Sequence, residues 1–315
     1  MRKYLCDFTL LLGLVFLLTS CSEWKVAPFI FNLKGPIVYC ASSNSKVYAL
    51  DANTGEKVWE FYTGQPINAS PFFVDGVLYV VNQAGKVFAL DANTGTQKWA
   101  FSTGVADGYG NRYSSPIVAE GLLYVGSTDK KMYALDADTG LKKWEYATGG
   151  EIKSSPLLYD GKVFFGSYDY SFYALDAKAG TKIWSVKTGN TIWSSPAVSA
   201  ALGIVYVGSA DQNLYAFNSG TGDKVWAFPA GGKVDSSPFV APNGLVYVGS
   251  RSRDHKVYAV DLLSGQKKGE YGANDDYFSS PVVANGFVYI GNDDKRVYAL
   301  NAAYLAEKKW EFSVG

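Results

Sequence analysis

The sequence predicts an all-β fold, a seven-bladed β-propeller of four-stranded antiparallel blades. Three observations support this prediction. A unit of about 40 residues recurs seven times along the 315-residue chain. The unit contains only short runs with β-type patterning, and many of the 33 glycines fall in the turns between these runs. A period near 40 residues with β patterning is typical of propeller blades rather than of helical repeats.

The repeat is clearest in the stretch KVYALDANTGEKVWEFYTG at 46–64. It returns at 86–104, 131–149, 171–189 and 213–231, and in weaker form at 256–274 and 296–315. One aromatic position marks every copy at intervals of 40 to 45 residues: Tyr48, Phe88, Tyr133, Tyr173, Tyr215, Tyr258 and Tyr298. Seven copies predict seven blades, with no segment assigned to a second domain.

Four strands are expected within each unit, as the third copy shows. The sequence Ser-Ser-Pro at 114–116 opens an innermost strand, and Gly121 makes the turn into a second strand at 122–126. A polar hairpin at 127–130 leads into a third strand at 132–135. Asp136 and Gly140 then form a tight turn before the outermost strand, since an aspartate accepts backbone N–H bonds and a glycine tolerates positive φ.

The motif Tyr-Ala-Leu-Asp, then Thr-Gly, then Trp four residues after the glycine, resembles the tryptophan-docking repeat of quinoprotein-type β-propellers, which are named after pyrroloquinoline quinone (PQQ). The resemblance covers 28–315. It implies one indole per blade that bridges adjacent blades and donates its N–H to a carbonyl. The docking positions hold Trp59, Trp99, Trp144, Trp184, Trp226 and Trp310, whereas the sixth copy has Gly269. The seventh copy replaces Thr-Gly by Tyr304-Leu305.

The first residues predict export and a lipid anchor. Arg2 and Lys3 precede an apolar run from Leu5 to Leu18 that is short for a membrane span. The sequence Leu-Thr-Ser-Cys ending at Cys21 resembles the bacterial lipoprotein box, in which the cysteine carries a diacylglycerol. We predict a signal peptide at 1–20, a lipidated tether at 21–27 and the propeller domain at 28–315. An ordinary signal peptide with a chance cysteine is the alternative.

The residue after the lipidated cysteine bears on localisation. It is Ser22 rather than the aspartate that favours retention at the inner membrane of enterobacteria. We therefore expect the periplasmic face of the outer membrane in a Gram-negative source. In any other source we expect the outer face of the cytoplasmic membrane.

Composition argues against several function classes. The 29 basic and 29 acidic side chains balance, so the chain lacks the positive charge typical of nucleic-acid binders. One histidine and three cysteines leave little material for a zinc site or a histidine-based triad. We expect Cys40 to be a buried, inert thiol and His255 to be a solvent-facing turn residue.

Acidic residues in the hairpins recur once per blade, which places them far apart around the ring. Calcium needs about six to eight converging oxygens. We therefore expect these residues to cap turns and not to bind metal: Asp129, Asp169, Asp211, Asp293 and Asp294.

One position varies strongly while the Ser-Ser-Pro frame around it barely changes. Three residues before the opening proline the copies have Lys25, Asn68, Tyr113, Lys153, Trp193, Asp235 and Phe278. The first strand of a propeller blade is innermost, so this position is expected to face the central channel or its mouth. Our hypothesis is that this rim binds a ligand or partner, with Trp193 as the leading candidate. The alternative is that a wide mouth tolerates any residue.

The longest inter-blade loop precedes the third blade. It spans 105–112 and contributes Tyr109 and Arg112, next to Tyr113 of the rim. Tyrosine and arginine are enriched at protein interfaces, and loop extensions on rigid scaffolds often carry function. We include these three residues in the candidate partner-binding rim.

Three functions are compatible with these features. The first is a non-enzymatic, lipid-anchored, monomeric scaffold for protein partners. It resembles the BamB-like lipoproteins of the outer-membrane β-barrel assembly machine, and the resemblance implies binding of outer-membrane assembly factors. That family usually has eight blades, whereas seven are counted here. The second is a propeller that binds or senses a small ligand or glycan.

The third is a PQQ-dependent dehydrogenase. Such enzymes carry a vicinal cysteine pair over the cofactor and a calcium ion beside a catalytic aspartate. Here the cysteines are Cys6, Cys21 and Cys40, and none are adjacent. We therefore expect no catalytic residues and no cofactor, PQQ included.

Overall fold

The computed structural model describes residues 24–26, 30–32, 35–104 and 114–314, and its regular structure there consists of β-strands. The strands form seven antiparallel sheets in chain order, which confirms the predicted seven-bladed propeller. Within these ranges, no helix has the length and apolarity needed to cross a membrane.

The first blade has five strands rather than four. Two short strands share its innermost position, because both pair with the same long neighbour. Its strands are β1 (Trp24–Val26), β2 (Ile30–Asn32), β3 (Gly35–Ser42), β4 (Lys46–Asp51) and β5 (Lys57–Tyr62). Strand β1 lies within the segment 21–27 that the sequence assigned to the tether, so the first sheet begins earlier than residue 28.

The other six blades have four strands each, in the order of the chain. The second and third blades contain β6 (Phe72–Val74), β7 (Val77–Val81), β8 (Lys86–Asp91), β9 (Gln97–Ser102), β10 (Ile117–Ala119), β11 (Leu122–Gly126), β12 (Lys131–Asp136) and β13 (Lys142–Ala147). The fourth and fifth contain β14 (Leu157–Tyr159), β15 (Lys162–Gly166), β16 (Ser171–Asp176), β17 (Lys182–Lys187), β18 (Ala197–Ser199), β19 (Ile204–Gly208), β20 (Asn213–Asn218) and β21 (Lys224–Pro229). The sixth and seventh contain β22 (Phe239–Val240), β23 (Leu245–Gly249), β24 (Lys256–Asp261), β25 (Lys267–Gly272), β26 (Val282–Ala284), β27 (Phe287–Asn292), β28 (Arg296–Asn301) and β29 (Lys308–Ser313).

The core lies between the blades. Six hydrophobic clusters each join one blade to the next along the chain. In the cluster between the third and fourth blades, Tyr124 and Met132 pack with Val163 and Phe165, and all four side chains are at most 1% exposed. In the second to sixth blades the second and third strands are therefore covered on both faces, which explains their nearly continuous apolar sequences.

Five of the six docking tryptophans bridge two blades through one backbone carbonyl. In each case the indole N–H donates to a turn carbonyl of the following blade at 2.9–3.2 Å: Trp59 to Ala92, Trp99 to Ala137, Trp144 to Ala177, Trp184 to Ser219 and Trp226 to Leu262. In four of these junctions a tyrosine hydroxyl of the second strand donates to the same carbonyl: Tyr39, Tyr79, Tyr124 and Tyr206.

The glycine of the Thr-Gly element packs against the face of the docking indole. A Cβ atom on Gly140 would lie 2.6 Å from the ring of Trp99, so only glycine fits under the indole. At the junction of the sixth and seventh blades both partners change together. Gly269 replaces the indole, and the buried Leu305 replaces the glycine, with its Cβ 3.3 Å from a Cβ built on Gly269. Two departures from the repeat thus belong to one repacked junction.

The hairpin acids cap turns and also link blades. Asp129 accepts the backbone N–H of Lys131 at 3.1 Å, the hydroxyl of Tyr133 at 2.5 Å and the N–H of Gly104, in the preceding blade, at 3.0 Å. Asp169 and Asp211 accept the equivalent three bonds. Tight turn geometry therefore explains why these carboxylates recur in the sequence.

Cys40 lies in β3 and is 4% exposed. Burial raises the pKa of its thiol, so the side chain stays protonated at neutral pH. The expectation of a buried, inert cysteine agrees with this position.

Trp310 departs from its predicted role as a bridge between blades. It is 42% exposed, compared with 8% for Trp59, and within the described residues its N–H has no acceptor. The reason is positional: Trp310 lies in the seventh blade, and none of the described blades covers its ring.

Replacing Trp99 and Trp310 by alanine in separate variants tests the docking contact. Trp99→Ala should lower the free energy of unfolding by about 3–5 kcal/mol, because it leaves a cavity and an unpaired carbonyl. Trp310→Ala should cost less than about 1 kcal/mol, because its ring is already partly in water. Urea denaturation of both variants makes the comparison, and equal losses would contradict the assignment.

Candidate functional site at the channel mouth

A chain of serine hydrogen bonds fixes the innermost part of the ring. In the second to sixth blades the serine before the opening proline donates its backbone N–H to the hydroxyl of the equivalent serine of the next blade at 2.9–3.0 Å: Ser70 to Ser115, Ser115 to Ser155, Ser155 to Ser195, Ser195 to Ser237 and Ser237 to Ser280. The rim position lies two residues before this serine. Its side chains are therefore held at equivalent places around the mouth of the channel.

A second variable position is held next to the first in five of the described blades, the second and the fourth to seventh. There the first hairpin residue after the second strand donates its backbone N–H to the carbonyl of the residue two before the rim position, as Tyr168 does to Glu151 at 2.9 Å and Arg251 to Lys233 at 2.9 Å. This geometry pairs Lys153 with Tyr168 in the fourth blade. It likewise pairs Asp235 with Arg251 in the sixth.

Aromatic rings and cations from four blades form one continuous group. The rings of Tyr168 and Trp193 stack with their centroids 5.4 Å apart, and the ammonium of Lys153 lies 4.6 Å and 5.3 Å from these two rings. The guanidinium of Arg251 lies 6.0 Å from the ring of Trp193 and 4.3 Å from that of Phe278. Such cation–π contacts stabilise by about 0.5–2 kcal/mol each, depending on desolvation.

Each cation in this group is also paired with a carboxylate. Lys153 bonds Glu151 at 2.8 Å, with only 10% of the lysine side chain exposed. Arg251 forms an ion pair with Asp235, whose side chain is 1% exposed. The remaining oxygen, Asp235 Oδ1, is buried and accepts no hydrogen bond from the described part of the chain. The group thus combines aromatic faces with balanced charge, rather than a net anion- or cation-binding field.

We call this group the mouth cluster, and it consists of Lys153, Tyr168, Trp193, Asp235, Arg251 and Phe278. It contains four of the nine residues that the sequence placed in the candidate rim. Tyr109, Arg112 and Tyr113 lie outside the described residues, as does the predicted lipidation site Cys21. Lys25 and Asn68 belong to the first and second blades, whereas the mouth cluster is drawn from the fourth to seventh blades.

Sequence reasoning missed Tyr168 and Arg251. Both occupy the residue after Gly-Ser, as Thr128 and Ala210 do, and the equivalent position is Gln83 after Val-Asn and Asp293 after Gly-Asn. The same internal comparison of repeats that found the rim position also shows variation at this one. What the sequence did not reveal is that a hairpin position lies beside the innermost strand.

His255 lies in a strained turn beside two acids. Ser252, Arg253 and His255 have positive φ values of 62°, 85° and 51°. The Nδ1 atom of His255 lies 2.7 Å from Asp276 Oδ1, which also accepts the N–H of Ser252 at 2.8 Å. The side chain is one-third exposed, so the expected turn position is accompanied by an acidic partner.

His255 also belongs to the one set of possible metal ligands in the described part of the chain. Ligand atoms of His255, Asp275 and Asp276 lie within 4.8 Å of one another. Three ligands are fewer than a structural zinc or a calcium site requires. Asp276 is also already engaged, so we assign no metal to this group.

A family model described as outer membrane protein assembly factor BamB matches residues 23–119 and 108–309. The two matches together span most of the chain. The chain belongs to the BamB family. Among the described residues, tryptophan-docking junctions occur in both matched regions. The family match therefore covers the repeated blades. No curated protein sequence gives a match.

Solved structures share the fold at low sequence identity. BamB from Moraxella catarrhalis is 23% identical with a TM-score of 0.75, covering 92% of this chain and 84% of its own. The computationally designed protein Ika8 is 16% identical with a TM-score of 0.75, covering 94% and 88%. Quinohemoprotein alcohol dehydrogenase ADHIIG from Pseudomonas putida HK5 is 17% identical with a TM-score of 0.75, covering 88% and 65%. At these identities the likeness shows the fold alone.

A double-mutant cycle tests the ion pair of the mouth cluster. Asp235→Asn should lower the free energy of unfolding by about 3–5 kcal/mol, because it leaves the largely buried Arg251 without a counter-charge. Arg251→Met in the same chain should recover most of that loss, since neither charge then remains. Losses that simply add in the double variant, measured by urea denaturation, would contradict the coupling.

Proposed function

We propose that this chain is a non-enzymatic, membrane-anchored scaffold that holds protein partners during outer-membrane protein assembly. Membership of the BamB family supports the proposed role in outer-membrane protein assembly, because the matching family is described as an outer membrane protein assembly factor. The mouth cluster is the proposed contact surface.

The observation that carries this proposal is the composition of the mouth cluster. Blade junctions repeat the same residues around the ring, whereas the cluster is built from the positions at which the copies differ. Tryptophan, tyrosine and arginine are the residues that most often dominate binding energy at protein interfaces. A rigid ring presents them at low entropic cost, because the serine chain and the hairpin bonds already fix their backbones.

The anchor and the location are part of the same proposal. A lipid on Cys21 would place the propeller at the periplasmic face of the outer membrane, within reach of assembly factors there. Strand β1 begins at Trp24, so the anchored cysteine lies only three residues from the first sheet. The anchor would therefore hold the propeller close to the membrane surface.

A capture experiment with mouth-cluster variants tests the proposal. Trp193→Ala with Phe278→Ala should reduce partner recovery after crosslinking in native membranes at least tenfold, because the cluster loses two of its aromatic faces. The matched control is Tyr62→Ala, which removes a 65% exposed tyrosine from the outer strand of the first blade. Denaturation curves must show that each variant is folded. Unchanged recovery of assembly factors by the folded double variant would contradict the proposal.

A small-ligand or glycan-binding module is the second candidate. The buried Asp235 Oδ1 supports it, because an acceptor of this kind suits a ligand hydroxyl or N–H. A thermal-shift screen of sugars separates the two functions. A glycan function requires that a sugar raises the Tm of the wild-type chain. The same sugar should then leave the Tm of the Asp235→Asn variant at the value measured for that variant without sugar. The scaffold function predicts no such rise.

A further inference from the structure

The last blade and the first blade present unmatched docking faces. The six hydrophobic clusters of the described residues join the blades in sequence from first to seventh, and none of the six joins the seventh to the first. On the seventh blade Trp310 is 42% exposed and Phe312 62% exposed. We call the space between these two blades the seam.

The wall formed by the seventh blade has the donors of an ordinary junction. The rings of Tyr289 and Trp310 lie 5.9 Å apart, as do those of Tyr79 and Trp99. The latter pair donates two hydrogen bonds to the carbonyl of Ala137. Neither donor of the former pair has an acceptor among the residues that the structure describes. This wall therefore has the donors for a carbonyl that no described residue supplies.

The wall formed by the first blade has the matching acceptor side. Leu50 and Ala52 are partly exposed, whereas the equivalent Leu135 and Ala137 are 0% and 5% exposed. A Cβ on Gly140 would meet Trp99 at 2.6 Å, but one on Gly55 would meet nothing within 4 Å. The first blade thus has in Gly55 the glycine on which a docking indole packs, but no described residue supplies that indole.

The six built junctions show what fits between these walls. Each is filled by the face of a neighbouring blade whose side chains are almost completely buried. Among the described residues, Trp310 stays exposed on one wall and Leu50 partly exposed on the other, so these two walls lack the burial of a built junction. An antiparallel sheet between them would repeat, on each of its faces, a contact that the molecule already makes.

We infer that the seam is a docking site for a blade-like antiparallel β-sheet supplied by a protein partner. Such a sheet would offer a turn carbonyl and aliphatic side chains to Tyr289 and Trp310. Its other face would offer an indole to Gly55. This inference rests on the proposed scaffold function and names the chemistry of one partner, at a surface separate from the mouth cluster.

The probe is a labelled peptide of residues 149–188, which comprises a linker and the complete fourth blade of this chain. Titration into the full-length protein, followed by fluorescence anisotropy, should give saturable binding. Trp310→Ala with Tyr289→Phe should weaken it at least tenfold, because the wall loses both donors. Leu141→Ala is the matched control, since Leu141 is 66% exposed on the third blade, away from the seam, and should leave binding unchanged.

Because an isolated blade is a poor folder, a fusion provides the second measurement. Residues 149–188 appended after Gly315 should dock as an eighth blade, resist trypsin and raise the denaturation midpoint above that of the unfused chain. Rapid loss of the appended segment with an unchanged midpoint, together with no peptide binding, overturns the inference. That result would leave the mouth-cluster experiment unaffected, so the two proposals fail separately.

Discussion

The structure depends on one interaction that recurs between blades: an indole and a phenol of one blade donate to a single turn carbonyl of the next. Trp99 and Tyr79 on the carbonyl of Ala137 show the full arrangement. The bond satisfies polar groups that burial would otherwise leave unpaired, and the ring covers the glycine beside it. The contact runs from each blade to its successor, and among the described residues the indole of Trp310 has no such successor.

The fold was predictable from sequence because the repeat encodes both sides of this contact. Trp144 in one copy and Gly180 in the next are visible as letters at fixed spacing, and the structure packs them together. The repeat also exposed its own exception, since Gly269 and Leu305 each break it. The sequence did not show that Gly269 and Leu305 pack against each other, because this contact joins two different copies of the repeat.

The candidate site was only partly predictable. Aligning the copies located Lys153, Trp193, Asp235 and Phe278, since variation within a nearly constant frame is visible in a single sequence. It missed Arg251, whose hairpin is distant along the chain from Asp235 and reaches it only through the register of the inner strands. Trp310 was misjudged for a related reason: a docking residue has the same sequence context whether or not a following blade exists. Neighbours in space, and not the local motif, determine its exposure.

The most direct test of this account is the distance across the seam in solution. Spin labels on Thr54→Cys and Lys309→Cys occupy the positions just before Gly55 and Trp310, on the two walls. Labels on Thr94→Cys and Val58→Cys occupy the equivalent positions at the junction of the first and second blades, where the indole of Trp59 lies on Gly95. The account predicts that the seam distance, measured by pulsed electron paramagnetic resonance, exceeds the junction distance by about 10 Å, the thickness of one packed sheet. Equal distances at the two places would show that the seventh blade docks directly on the first, and would contradict the account.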